Sequence, residues 1–160
     1  MRALGSKARH PARVYFTGGT TAVLLGWRET TIDVDLRFEP EHDELYRALP
    51  LLKESLGINI ELASPSDFIP PLPGWEDRSS HISREGLLDF YHYDPYSQAL
   101  AKIERGHTQD VNDVNEMLER GIVEPAKLRS LFEAIEPQLY RYPAIDPNSF
   151  AMAVRRFTGP

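Results

Sequence analysis

The sequence predicts an α/β (α+β) fold: a small mixed sheet with helices and a helical C-terminal part. Three observations predict it. Apolar residues alternate with period two near residues 31–38 and 58–62, after a short β-branched and aromatic run at 13–16. Leucines at helical spacing fill the stretch between the second and third of these segments. From Pro95 onward helix starts and stops follow one another with no further strand pattern. At 160 residues the chain suits one domain with its own core. The expectation is a single domain over 1–160, with a sheet core at about 13–94, a helical part at 95–140 and a tail at 141–160.

In chain order, residues 1–12 are short, basic and broken by Pro11, and read as a frayed lead-in. Arg13-Val14-Tyr15-Phe16 reads as a buried strand running into a tight turn at Gly18-Gly19. Thr20 to Gly26 reads as a short apolar helix. From Thr31 to Phe38 the residues Ile32, Val34, Leu36 and Phe38 point one way, and Thr31, Asp33, Asp35 and Arg37 the other. A helix follows over Glu41 to Leu56, with Leu45, Leu49, Leu52 and Leu56 on one face and Pro50 as a candidate kink. Gly57 closes it, and Ile58 to Leu62 alternates as the next strand. Pro65, Pro70, Pro71 and Pro73 stiffen the loop from Ser64 to Trp75, which is long enough to border a site. His81 to Tyr93 reads as a hairpin around Glu85-Gly86. Helices are expected from Pro95 to about Arg105, from Asp110 to Leu118, from Pro125 to Leu139 and, in the tail, from Asn148 to Phe157.

The bulk properties exclude several kinds of chemistry. There is no cysteine, hence no disulfide, thiolate metal site or cysteine nucleophile. A net charge of −6 argues against broad, non-specific nucleic-acid binding, although it leaves room for a local basic patch. No continuous apolar stretch reads as a signal peptide or membrane span, so a cytoplasmic protein with no membrane partner is expected. Of the five histidines, none stands at a short metal-binding spacing from another, and most are expected at the surface.

The chemistry concentrates between residues 17 and 35. Gly18 and Gly19 stand between a strand and a helix, where glycine admits positive φ and lets a ligand approach the backbone. The following amides and the hydroxyls of Thr17, Thr20 and Thr21 favour phosphate. Asp33 and Asp35 share a strand face, roughly 6–7 Å apart along it. Two such carboxylates need a cation between them, an arginine beside them, or protonation of one. An all-oxygen set suits Mg²⁺ or Mn²⁺. The plain alternative is a solvated edge strand with Arg28 or Arg37 as counterion.

Thr17-Gly18-Gly19-Thr20, then Arg28-x-Thr30, then Asp33-Val34-Asp35-Leu36, resembles the signature of the nucleotidyltransferase superfamily of DNA polymerase beta type. The nearest likeness is to small bacterial nucleotidyltransferase toxins of abortive-infection systems (AbiEii-like) and to their uncharacterised relatives. Ala99-Leu100-Ala101-Lys102-Ile103-x-Arg105 and Asp110-Val111-Asn112-Asp113-Val114 are similar to that group's helical lysine-then-aspartates segment. The resemblance implies a minimal nucleotidyltransferase fold and a nucleotide site at Gly18, Gly19, Thr20 and Lys102. It implies metal held by Asp33, Asp35 and, on the next strand, Glu61. It makes Lys102 a phosphate contact, with Asp110 or Asp113 finishing or bracing the pocket. The implied activity moves a nucleoside monophosphate from a nucleoside triphosphate to a hydroxyl on RNA or protein, with an antitoxin protein as partner. The chain departs from the pattern at Gly19, where serine is frequent, at Gln109, where arginine is frequent, and at Glu61, where aspartate is commoner. The N-terminus is also short of the helix that usually precedes the first strand in that superfamily, and this and Gln109 favour the alternative, a non-catalytic binding or regulatory module on the same fold.

Overall fold

The computed structural model describes residues 1–159, which divide into two compact units. The first comprises Met1–Ser64 with Ser79–Tyr93; the second comprises Pro65–Arg78 with the chain from Asp94 onward. The strands all belong to the first unit, and the helices after the sheet belong to the second. This is the mixed α/β architecture expected.

The first unit is a five-stranded sheet. Its strands are β1 (Ala12–Thr17), β2 (Asp33–Glu39), β3 (Asn59–Leu62), β4 (Ser80–Glu85) and β5 (Leu88–His92), in the spatial order β3-β2-β1-β5-β4. β1 is central, antiparallel to β2 and parallel to β5; β2 and β3 are parallel, and β4 and β5 form the antiparallel hairpin. The register makes the two faces chemically distinct, because residues paired across strands point the same way. Val14, Phe16, Leu36, Phe38, Ile60, Leu88 and Phe90 line one face. Helix α3 (Asp43–Leu56) packs Leu45, Ala48, Leu49 and Leu52 against them. The other face carries Asp33, Asp35, Asn59 and Glu61 at one edge, and Tyr15 stacked on Tyr91 with ring centroids 5.4 Å apart.

Several expectations are revised here. The lead-in is not frayed: Arg2–Gly5 forms helix α1, which buries Leu4 in the sheet's core. Pro50 does not split α3; it sits on the exposed side, and the four buried residues hold the helix through the missing hydrogen bond. Leu56, expected on the apolar face, is exposed, as is Ile32, which is 88% exposed because pairing, here with β3, begins only at Asp33. Gly57 closes α3 at φ 63°, the left-handed position that glycine adopts without steric cost. Helix α2 (Gly18–Leu24) starts two residues earlier than the apolar pattern implies, directly at the glycine pair.

The second unit is helical: α4 (Trp75–Arg78), α5 (Pro95–Arg105), α6 (Thr108–Glu119), α7 (Pro125–Ile135) and α8 (Pro147–Thr158). Leu100, Ile103, Val114, Met117, Leu128, Phe132, Phe150 and Val154 are buried among them, with Phe132 and Phe150 edge to face at 4.9 Å. Pro137 ends α7 earlier than expected, and a 3₁₀ segment (Glu136–Arg141) takes over. The proline-rich stretch is structured too. Ile69 and Leu72 are buried, the Tyr142 hydroxyl donates to Ser66 O at 3.0 Å, and Trp75 opens α4. Asp94 is fully buried and caps α5 by accepting from Tyr96 N. It also takes both Nε and Nη2 of Arg78, at 3.0 and 2.8 Å, which ties the two chain pieces of this unit together. Among the described residues no helix is long and apolar enough to cross a membrane.

Phe38 is 1% exposed at the centre of the sheet's apolar face. Phe38→Ala is therefore expected to lower the unfolding free energy by about 3–5 kcal/mol, read from the urea midpoint at unchanged slope.

Candidate active site

β2 delivers Asp33 and Asp35 to the polar face, both half-buried, because Leu36 and Phe38 must face α3. The parallel β3 then sets Asn59 opposite Asp33 and Glu61 opposite Asp35. Three sequence-predicted carboxylates are thus brought onto one sheet face. Asn59, which the sequence did not mark, links them: its Nδ2 donates to Asp33 Oδ1 at 2.7 Å and to Glu61 Oε1 at 2.9 Å. A single amide nitrogen therefore sits within hydrogen-bond distance of two carboxylates. That is where a cation would also be drawn, since an amide carries only a fraction of the positive charge that two carboxylates attract. Only the register of β2 on β3 could have exposed Asn59, and registry is not written in either strand alone.

The glycine pair is built against this set. Gly18 has φ 60°, and a Cβ there would stand 2.6 Å from Asp35 Oδ2. The backbone thus approaches the carboxylate more closely than any side chain would allow. At Gly19 a Cβ would collide with the Thr31 hydroxyl and lie 3.2 Å from Arg28 Nη1, so the turn is roofed by Arg28 and Thr31. Thr20 is buried, and its hydroxyl donates to Asp33 O at 3.5 Å; Thr31 donates to the same carbonyl at 3.0 Å. Both hydroxyls therefore hold the start of β2 in place. Arg37, considered as a counterion, donates to Glu39 at 3.1 Å. His92 lies on the opposite face, 9% exposed, with Nδ1 3.4 Å from Thr21 Oγ1; burial pushes its pKa below the ordinary histidine value.

Lys102, Asp110 and Asp113 form a second cluster, within the helical unit. Lys102 is 5% exposed, and its Nζ donates to Asp110 Oδ1 at 3.3 Å and to Asp113 Oδ2 at 2.6 Å. Arg105 places Nε 2.7 Å and Nη2 2.5 Å from the two oxygens of Asp110. Gln109 donates to Asp113 Oδ1 at 3.4 Å, so it supports the cluster where arginine is frequent in the resembled group. Burial alone would raise the Asp110 carboxyl, but the Arg105 hydrogen bonds and the Lys102 charge outweigh it and hold the group below its usual range. The helix pair α5–α6 is thus joined by charge.

The carboxylate donors on the sheet face are all oxygens, the type that a hard divalent ion takes. Asp35 and Glu61 are register partners and Asp33 stands two residues earlier on β2; a cation drawn to Asp33 and Glu61 would compete with the bridging amide. Against known proteins, one family matches over residues 2–155, that of the Nucleotidyltransferase of unknown function (DUF6036). The match takes in nearly the whole chain, which therefore belongs to this family. No curated protein and no solved structure matches.

Three outcomes follow from this geometry. Gly18→Ala should cost about 1–2 kcal/mol from the left-handed backbone alone, with the Asp35 carboxylate displaced as well. Lys102→Met leaves two buried carboxylates without their shared cation and should cost about 3–5 kcal/mol by chemical denaturation. Because the folded pKa of Asp110 is lowered, its stabilisation is complete above the unfolded value of about 3.9 and is lost as pH falls through the folded one. Arg105→Gln should move that loss to higher pH in an acid-unfolding series.

Proposed function

We propose that this DUF6036 nucleotidyltransferase is an active, metal-dependent enzyme that moves a nucleoside monophosphate from a nucleoside triphosphate to a hydroxyl on RNA or protein. What carries the reading is the convergence of Asp33, Asp35 and Glu61 on one sheet face beside Gly18, whose backbone is moulded to the Asp35 carboxylate. Asp33, Asp35 and Glu61 would hold Mg²⁺ or Mn²⁺. When bound, such an ion supplies charge neutralisation on the phosphates and lowers the pKa of an attacking hydroxyl.

The residues' own tasks follow from chemistry. The acceptor oxygen bonds to the α-phosphorus as the bridging bond to the β-phosphate breaks, and pyrophosphate leaves. The acceptor's proton passes to a carboxylate of the set. The Gly18-Gly19 turn gives phosphate oxygens a backbone they can approach, and Arg28 beside it adds positive charge. The resemblance also implies a phosphate contact for Lys102, but that residue is buried in the helical unit with Nζ engaged by Asp110 and Asp113, and its task in this proposal is to brace that unit. The cellular setting proposed, a toxin restrained by an antitoxin protein in the cytoplasm, rests on the motif resemblance alone.

A specific observation favours a second reading. Asn59 donates to both Asp33 and Glu61, a fixed hydrogen-bonded arrangement that suits a binding module which no longer reacts.

Thermal stability followed across each of the four nucleoside triphosphates, with Mg²⁺ or Mn²⁺, separates the two. The enzyme reading expects a metal-dependent rise for a preferred nucleotide, absent in Asp33→Asn/Asp35→Asn, and labelled nucleotide appearing in RNA or protein with that donor. A nucleotide-dependent rise with no transfer to any acceptor supports the binding module. No rise from a well-folded chain removes both.

A further inference from the structure

A second constellation lies in the first unit, away from the carboxylate face. His10, in the segment before β1, and His42 and Glu44, at the start of α3, bring one ring nitrogen each and a carboxylate oxygen within 4.8 Å of one another. The two rings lie 5.0 Å apart, tilted by 31°. His10 Nδ1 donates to Glu44 Oε1 at 2.8 Å, and the backbone amide of Arg9 reaches the same oxygen at 3.4 Å. His42 Nε2 stands 3.3 Å from Pro11 O. A carbonyl only accepts, so Nε2 carries the hydrogen and the neutral ring keeps its lone pair on Nδ1. An imidazole that gives one N–H to a carbonyl and presents the other nitrogen is in the tautomer that metal-ligating histidines adopt.

We propose that His10, His42 and Glu44 bind a first-row divalent transition ion, Zn²⁺ above all, at a site separate from the carboxylate face. Two imidazoles and one carboxylate are a three-ligand zinc set with an open fourth position. Imidazole donors favour zinc over magnesium, which prefers oxygen throughout. Ligands around tetrahedral zinc stand roughly 3.4 Å from one another, so the gap to close is at most roughly 1.4 Å. His10 can supply that movement, because its side chain is 62% exposed. Glu44 offers a carboxylate oxygen, an ordinary zinc ligand. The ion would pin the segment before the central strand to the start of α3. Two of its ligands lie 32 residues apart and the third is the close pair His42-x-Glu44, a spacing invisible until the chain folds.

Calorimetric titration of the full chain with ZnCl₂, and separately with MgCl₂, tests this. The expected result is one zinc equivalent bound by wild type and by Asp33→Asn/Asp35→Asn, with no competition from magnesium. His10→Ala, His42→Ala and Glu44→Gln should each weaken it about tenfold or more. Co²⁺ substituted for zinc should show the intense visible bands of a low-coordinate nitrogen-containing site, lost in His42→Ala. Should His42→Ala fail to fold, the exposed His10→Ala decides alone. Zinc affinity unchanged in His10→Ala, or abolished in Asp33→Asn/Asp35→Asn, overturns the proposal, the latter because the ion would then belong to the carboxylate face.

Discussion

The sheet unit depends on a requirement that strand β2 cannot escape. Leu36 and Phe38 must lie against helix α3, and a strand turns successive side chains to opposite faces. Burying the apolar set therefore commits Asp33 and Asp35 to the other side. Pairing with β3 repeats the rule, burying Ile60 and turning out Asn59 and Glu61. Core packing and the placement of the acidic group are one decision, taken twice in adjacent strands. A slip of one residue in either register would put carboxylates into the core, which is why the arrangement is held so firmly.

The helical unit solves a similar problem with charge. Lys102, Asp110 and Asp113 are all nearly inaccessible, and each is tolerable only because the others are there. Arg105 shares the load on Asp110 from the more exposed side. Arg78 does the same for Asp94, which has no exposure and four donors arranged around its two oxygens. Ion pairs so buried are sensitive to loss of one member, and here they stand at helix ends, where direction matters more than bulk.

Much of this could be read from residue order. Alternation in Val34-Asp35-Leu36-Arg37-Phe38 gave the strand and the face of its aspartates, and Gly57 marked a helix end where the chain does turn left-handed. What failed to show were effects of partners distant in sequence. Leu4 looked like part of a frayed end because its core neighbours lie on other elements. Ile32 looked buried because alternation says nothing about where pairing begins. Asn59 carries no signal of its own in the sequence, because its role exists only opposite Asp33. The histidines illustrate the same limit: short-range spacing excludes local motifs but is silent about residues 10 and 42.

The order in which the chain visits its two units has a consequence for how the protein is made. Residues 65–78 are given to the helical unit before the sheet is complete, and the chain then returns to add β4 and β5. Arg13 finds its parallel partner Asp89 only after about half of the polypeptide has been synthesised. Until then, the central strand has one bare edge, the kind that templates pairing with another molecule. Neither unit is a continuous stretch, so neither can be finished on the ribosome before synthesis of the other has begun. Folding is thereby forced toward long-range closure, which is slow, and nascent chains are most vulnerable to association in the interval between β3 and β5.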